Sequence, residues 1–187
     1  MKQVTLSKVV QNCLIMIILA EVLVTLNGLA VHAERGQQQP LIHLLSQLVP
    51  WPHFVALGVI VGAADLLINY KLLLKLLPMR DERGDLEPLN LKGMLVYSAA
   101  TAFSEEVLVR GVLQSILGVW LTSALFGLGH ASSFQKVLWT LFWGMVYGIA
   151  VYLTDNLWVA IIPHMMGNFA YAWESSFLPR TSSSQAA

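Results

Sequence analysis

The stretch Ala99-Ala-Thr-Ala-Phe-Ser-Glu105-Glu106-Val-Leu-Val-Arg110-Gly-Val-Leu113 sets two acids and a base inside an otherwise apolar run. Ionisable groups at membrane depth cost several kcal/mol each unless they are paired or face water, so they point to function by default. On a helix, residues four apart share a face, whereas neighbours are turned from each other by about 100°. Glu106 and Arg110 therefore pair, and Glu105 is turned aside toward a cavity. The expectation is that Arg110 holds Glu106 in a structural ion pair and that Glu105 is a general base. A purely structural charge cluster is the alternative, but one arginine leaves one of two acids uncompensated.

The rest of the chain supports a bilayer setting. Of 187 residues, 56% are hydrophobic and 12% charged, against about 25% charged in a soluble domain. Formal net charge is zero, which argues against nucleic acid as a partner. The single cysteine, Cys13, excludes an internal disulfide and a cysteine-built metal site, and reads as a small buried hydrophobe.

A spanning helix needs about 20 mostly apolar residues. Candidate spans are Val9–Ala33, Phe54–Leu77, Leu91–Leu117, a shorter segment Val119–Leu128, Val137–Leu153 and Leu157–Trp173. The first could be read as a secretory signal with Val31-His-Ala33 as a cleavage site, but its apolar run exceeds the usual ~7–15 residues. Leu41–Val49 is too short to span and suits an interfacial helix ending at Pro50-Trp-Pro52. Thr154-Asp-Asn156 reads as a tight turn, and the Ser-rich residues 179–187 as a disordered tail. The expected fold is all-α, a polytopic membrane bundle of about six helices in one domain over 1–187, with a catalytic core over 91–173, because only helices or closed barrels satisfy the backbone in lipid. Lys2, Lys8, Lys71, Lys75, Arg80, Arg83 and Lys92 against Arg35 alone in the first loop place both termini in the cytoplasm.

Two further apolar stretches carry chemistry. His130 closes Phe126-Gly-Leu-Gly-His130, a glycine-broken segment that can end inside the bundle; Phe126, one turn earlier, reads as packing. His164 and Asn168 are four apart and point the same way, so an imidazole and an amide can both donate to a developing oxyanion. Pro163 removes a helix hydrogen bond just before them. Asp65, after the small-residue face Gly62-Ala-Ala64, and Glu21 are expected to hydrogen-bond neighbouring helices. Gly144-x-x-x-Gly148 reads as helix packing. Gly-x-Ser-x-Gly, His-Glu-x-x-His and Gly-x-Gly-Asp are absent, which removes the serine, zincin and aspartyl signatures.

Glu105-Glu106-Val-Leu-Val-Arg110, Phe126-Gly-Leu-Gly-His130 and His164-Met-Met-Gly-Asn168 together resemble, in order, the three motifs of the CAAX-protease and bacteriocin-processing (CPBP, or Abi) family, which includes the prenyl-protein endoprotease. The resemblance covers about Leu91 to Trp173. It implies a glutamate-type intramembrane endopeptidase acting on a membrane-associated peptide or protein. Glu105 and His130 would activate water, His164 and Asn168 would hold the oxyanion, and Glu106, Arg110 and Phe126 would support the site. No cofactor is expected from it, although Glu105, His130 and His164 also make a three-ligand set for zinc. A non-catalytic membrane scaffold or immunity factor, and a proton-coupled transporter, are the rival functions; the lack of an inverted repeat counts against the transporter.

Overall fold

The structure is a computed structural model that describes residues 3–35, 40–68 and 85–177. The residues expected to form a disordered tail, and the last part of the expected second span, lie outside the described residues. The described residues form helices α1 (Leu6–Arg35), α2 (Pro40–Gln47), α3 (Pro52–Ile68), α4 (Leu91–Glu106), α5 (Gln114–Gly129), α6 (Phe134–Thr154) and α7 (Trp158–Phe177). A π-helical segment, Val107–Leu113, joins α4 to α5. The one β pairing among the described residues is an isolated parallel bridge between Val4 and Leu86. The expected all-α class holds.

Apolar side chains cover the outside as well as the inside. Ile15, Ile18, Ile60, Leu95 and Leu121 are exposed, an arrangement that suits lipid rather than water. Among the described residues three helices are long and apolar enough to cross a membrane: Leu6–Asn27, Leu91–Gly129 and Phe134–Thr154. Segments α2 and α3, bent by 69° at Pro50-Trp-Pro52, raise the number to four if they form one broken span. The protein is thus a helical membrane protein, with three to four such spans among the described residues against the six expected of the whole chain. Part of the difference lies in α4–α5, expected as two spans and found as one 39-residue apolar element. At 1.5 Å per residue that element is about 58 Å long if straight, far beyond a ~30 Å hydrocarbon core. It is broken at Gly118, whose φ of 75° and ψ of 170° are non-helical. Only glycine occupies that region at low cost, so the boundary expected between Leu117 and Val119 falls on a real kink.

The last helix is the hub. α7 packs against both α3 and α4, α4 also packs on α1, and α6 packs on α5. Gly62 lets α3 approach α7: a Cβ there would lie 2.6 Å from Met166 Sδ and 2.9 Å from Pro163 Cα. The tight turn after α6 closes on Asp155, a left-handed residue at φ 50°. α2 is not left at the surface alone. Gln47 Nε2 donates to Asp155 Oδ1 (2.7 Å), and Asn156 Nδ2 and Trp158 Nε1 donate to the carbonyls of Val49 (3.0 Å) and Leu48 (2.8 Å). α2 thereby clamps the α6–α7 turn, and Leu44 enters the core with Val107, Leu108, Val112, Leu157 and Ile161. At the other end, Leu86, Leu89, Met94 and Ala172 form a second apolar cluster under the N-terminus of α4. Asn90 caps that helix by accepting from Gly93 N–H at 2.8 Å.

Candidate active site

Three separate parts of the fold deliver the expected residues to one place. α4 ends on Glu105 and Glu106, His130 follows the last residue of α5, and His164 sits inside α7 just after Pro163. Glu105 Oε2 is the meeting point: His130 Nε2 lies 3.6 Å from it and His164 Nε2 lies 3.7 Å from it. That oxygen is buried and has no hydrogen-bond partner. Glu105 itself keeps 19% of its side chain accessible, whereas Glu106 and Arg110 are fully enclosed. The division expected from the helix faces, with one acid free and one acid locked, is therefore present.

The hydrogen bonds fix which ring nitrogens carry protons. His130 Nδ1 lies 2.9 Å from the carbonyl of Phe126. A carbonyl only accepts, so Nδ1 donates, and in the neutral ring Nε2 offers its lone pair toward Glu105. His164 Nδ1 lies 2.7 Å from Glu106 Oε1, and a carboxylate likewise only accepts. His164 is thus held by the acid that the sequence assigned to Arg110 alone. Glu106 serves both: its Oε2 is 3.3 Å from Arg110 Nε, a charge contact off the line of the N–H. Two carboxylates and one guanidinium leave one negative charge, which a proton on either imidazole neutralises.

The Arg110 guanidinium has its own cradle. It donates to Ser123 Oγ (3.3 Å) and Gln114 Oε1 (3.5 Å), and its carbon lies 5.3 Å from the centre of the Phe126 ring. Phe126 also packs on His130, with ring centres 4.5 Å apart, and meets His164 edge-on at 6.0 Å. Phe126 therefore packs, as expected, and what it packs against is the site. Gly144 and Gly148 line the far side of the guanidinium. A Cβ on Gly144 would lie 3.3 Å from Nη2, and one on Gly148 would lie 3.3 Å from Nη1 and 2.8 Å from Gln114 Oε1. The glycine pair is a berth for a buried charge as well as a helix contact. Arg110 lies within the π-helical segment, a distortion frequent at functional sites.

Asn168 is one turn beyond His164, and its Nδ2 donates to Thr101 Oγ1 at 2.8 Å on α4. It thus reaches the face that carries Glu105, through a residue the sequence reading did not single out. Thr101 precedes Glu105 by four residues, a spacing that could have marked it. Tyr147 is a second missed neighbour: its ring lies 6.4 Å from that of His164, and its hydroxyl donates to Asp65 Oδ2 at 2.8 Å. Asp65 thereby bonds a neighbouring helix as expected. Glu21 instead sits exposed on the outside of α1. Among the described residues no group of three or more His, Cys, Asp or Glu side chains is arranged to hold a metal ion.

An apolar-sided helical bundle that encloses two acids, two imidazoles and a berthed guanidinium defines a membrane protein with an acid–base centre in its interior. Residues 87–170 match the family described as Type II CAAX prenyl endopeptidase Rce1-like, a match that contains all three motifs. Over these residues the chain is similar to the CAAX-protease (CPBP) family, a family of proteases. Comparison with curated proteins and with solved structures returned no match.

Proposed function

We propose that the protein is an intramembrane endopeptidase that hydrolyses a peptide bond of a membrane-associated peptide or protein with water activated by Glu105. The observation that carries this reading is the convergence of His130 Nε2 and His164 Nε2 on a buried, unpartnered Glu105 Oε2. At 3.6–3.7 Å both imidazoles are too far from Glu105 Oε2 to bond it directly, and with His164 as an imidazolium the two acceptors that face each other are Glu105 Oε2 and His130 Nε2. A water molecule supplies two O–H donors to that gap.

Glu105 takes a proton from this water, with His130 Nε2 accepting its second O–H and so orienting it. The hydroxide attacks the scissile carbonyl. His164, tied through Nδ1 to Glu106, donates from Nε2 as the imidazolium, with the Glu106 carboxylate as its counter-charge. The second N–H of the Asn168 amide is the other donor to the oxyanion, the first being engaged by Thr101. The proton held by Glu105 then passes to the leaving amine, which closes the cycle. Glu106, Arg110 and Phe126 hold the histidines and touch no reacting atom. Zinc on Glu105, His130 and His164 is the alternative chemistry, and no step above depends on it.

The protein acts as a multi-pass protein of the cell membrane with both termini in the cytoplasm. Its family resemblance extends to bacteriocin processing as one setting for such an activity. The test is cleavage of peptides extracted from the host membrane by purified wild type, Glu105→Gln and His130→Ala. Loss of products in both variants is expected; products retained by Glu105→Gln would remove the general-base assignment.

A further inference from the structure

A cavity of about 210 Å³ reaches Glu105 from the side of α1. Two facing stripes make its walls. On α4 they are Tyr97, Thr101 and Glu105, successive residues of one helix face that together rise about 12 Å. On α1 they are Val9, Asn12, Cys13 and Met16, again at helical spacing on one face. Val4, Asp85 and Leu86 also line it, and there the backbones pair through Val4 N–H to Asp85 O (2.8 Å) and Glu87 N–H to Val4 O (3.2 Å). Glu87 Oε1 further accepts from Leu6 N–H at 2.8 Å, fixing the start of α1 to the same loop.

The α1 wall lies wholly outside residues 87–170, the part that carries the family match. It is nevertheless continuous with the motif residues, because Thr101 is the acceptor for Asn168 and Glu105 lines the same cavity. No side chain of the α1 stripe is charged. We propose that this cavity receives the uncharged substrate side chain that flanks the scissile bond, and that α1, through Met16 and Cys13, sets which side chains fit. This rests on the peptidase reading of Glu105. The space is on the scale of a side chain, not of a helix, so the substrate must present an extended segment here. The mixed wall of Val9 and Met16 with Asn12 and Thr101 favours an aliphatic or small polar residue over an acidic one, which would meet Glu105.

The experiment uses the full chain in detergent and a positional library of internally quenched peptides. Met16→Trp narrows the cavity and Met16→Ala widens it. At one position beside the cleaved bond, the ratio of kcat/KM for alanine over leucine should rise at least tenfold in Met16→Trp and fall in Met16→Ala. A folding defect does not move the two variants in opposite directions. Cys13, the only cysteine in the chain, gives a readout independent of turnover: the thiol adds across the double bond of N-ethylmaleimide, and peptides in the cavity should slow that addition at least threefold. Cleavage with an unchanged ratio in both Met16 variants overturns the pocket and leaves the peptidase reading standing. If wild type cleaves no library peptide, that reading fails, and labelling alone decides: slowed Cys13 addition supports the cavity as a peptide site, and unslowed addition refutes it.

Discussion

Replacing Glu106 by glutamine should damage the fold more than replacing Glu105, although the two acids are adjacent. Glu106 and Arg110 are fully enclosed, with Glu106 Oε2 3.3 Å from Arg110 Nε and Oε1 2.7 Å from His164 Nδ1. Glutamine keeps the shape and one acceptor but removes the charge. The Arg110 guanidinium then stays buried with Ser123, Gln114 and the Phe126 face as its remaining partners. Breaking a buried pair in this way costs about 3–5 kcal/mol. Glu105 is partly accessible and its Oε2 is already unpartnered, so Glu105→Gln should stay within about 1 kcal/mol of wild type. Removing the orphaned charge as well, in Glu106→Gln with Arg110→Met, should cost less than the sum of the single losses, by about 0.5–3 kcal/mol. Reversible unfolding of the purified protein, titrated from mild detergent into SDS, reads all four variants. Glu106→Gln as stable as wild type, or strict additivity in the double variant, would refute the reasoning.

Other perturbations test separate parts of the structure. Gly118→Ala should destabilise by about 1–3 kcal/mol although nothing lies within 4 Å of the new methyl group, because the loss comes from its φ of 75°; the same unfolding titration measures it. Gly148→Ala should cost about 1–3 kcal/mol by overpacking and should also lower activity, since the methyl group crowds Gln114 and Arg110. Asn168→Ala should lower kcat about 100–1000-fold if its amide serves the oxyanion; a fall of only a few fold would reduce it to a tie to Thr101.

Much of the site was legible because each motif places its polar residues by local helix geometry. Glu106 and Arg110 pair at four residues' spacing, and Glu105 faces away from that pair, as the 100° step requires. The expected boundary between Leu117 and Val119 coincides with the kink at Gly118, and Thr154-Asp-Asn156 marked its own turn. What escaped was set by tertiary packing. The bond from His164 to Glu106 joins residues 58 apart in sequence, and no periodicity predicts which of two adjacent acids an imidazole on another helix will meet. Gly144 and Gly148 read as a common packing motif because the guanidinium they admit arrives from a different helix. The cavity wall on α1 was invisible for the same reason: Val9, Asn12, Cys13 and Met16 acquire meaning only opposite Tyr97, Thr101 and Glu105. Hydropathy alone could not tell a bent helix from two spans in α4–α5, or an interfacial helix from the first half of a broken one in α2–α3.

The most direct measurement is proteolysis of host-membrane peptides by the purified protein, comparing wild type with Glu105→Gln and His164→Ala, each with and without a zinc chelator. The account predicts products that resist the chelator and vanish in both variants. Products that vanish with the chelator and return with added zinc would contradict it, and would make Glu105, His130 and His164 metal ligands instead of a base, a water-orienting group and an oxyanion donor.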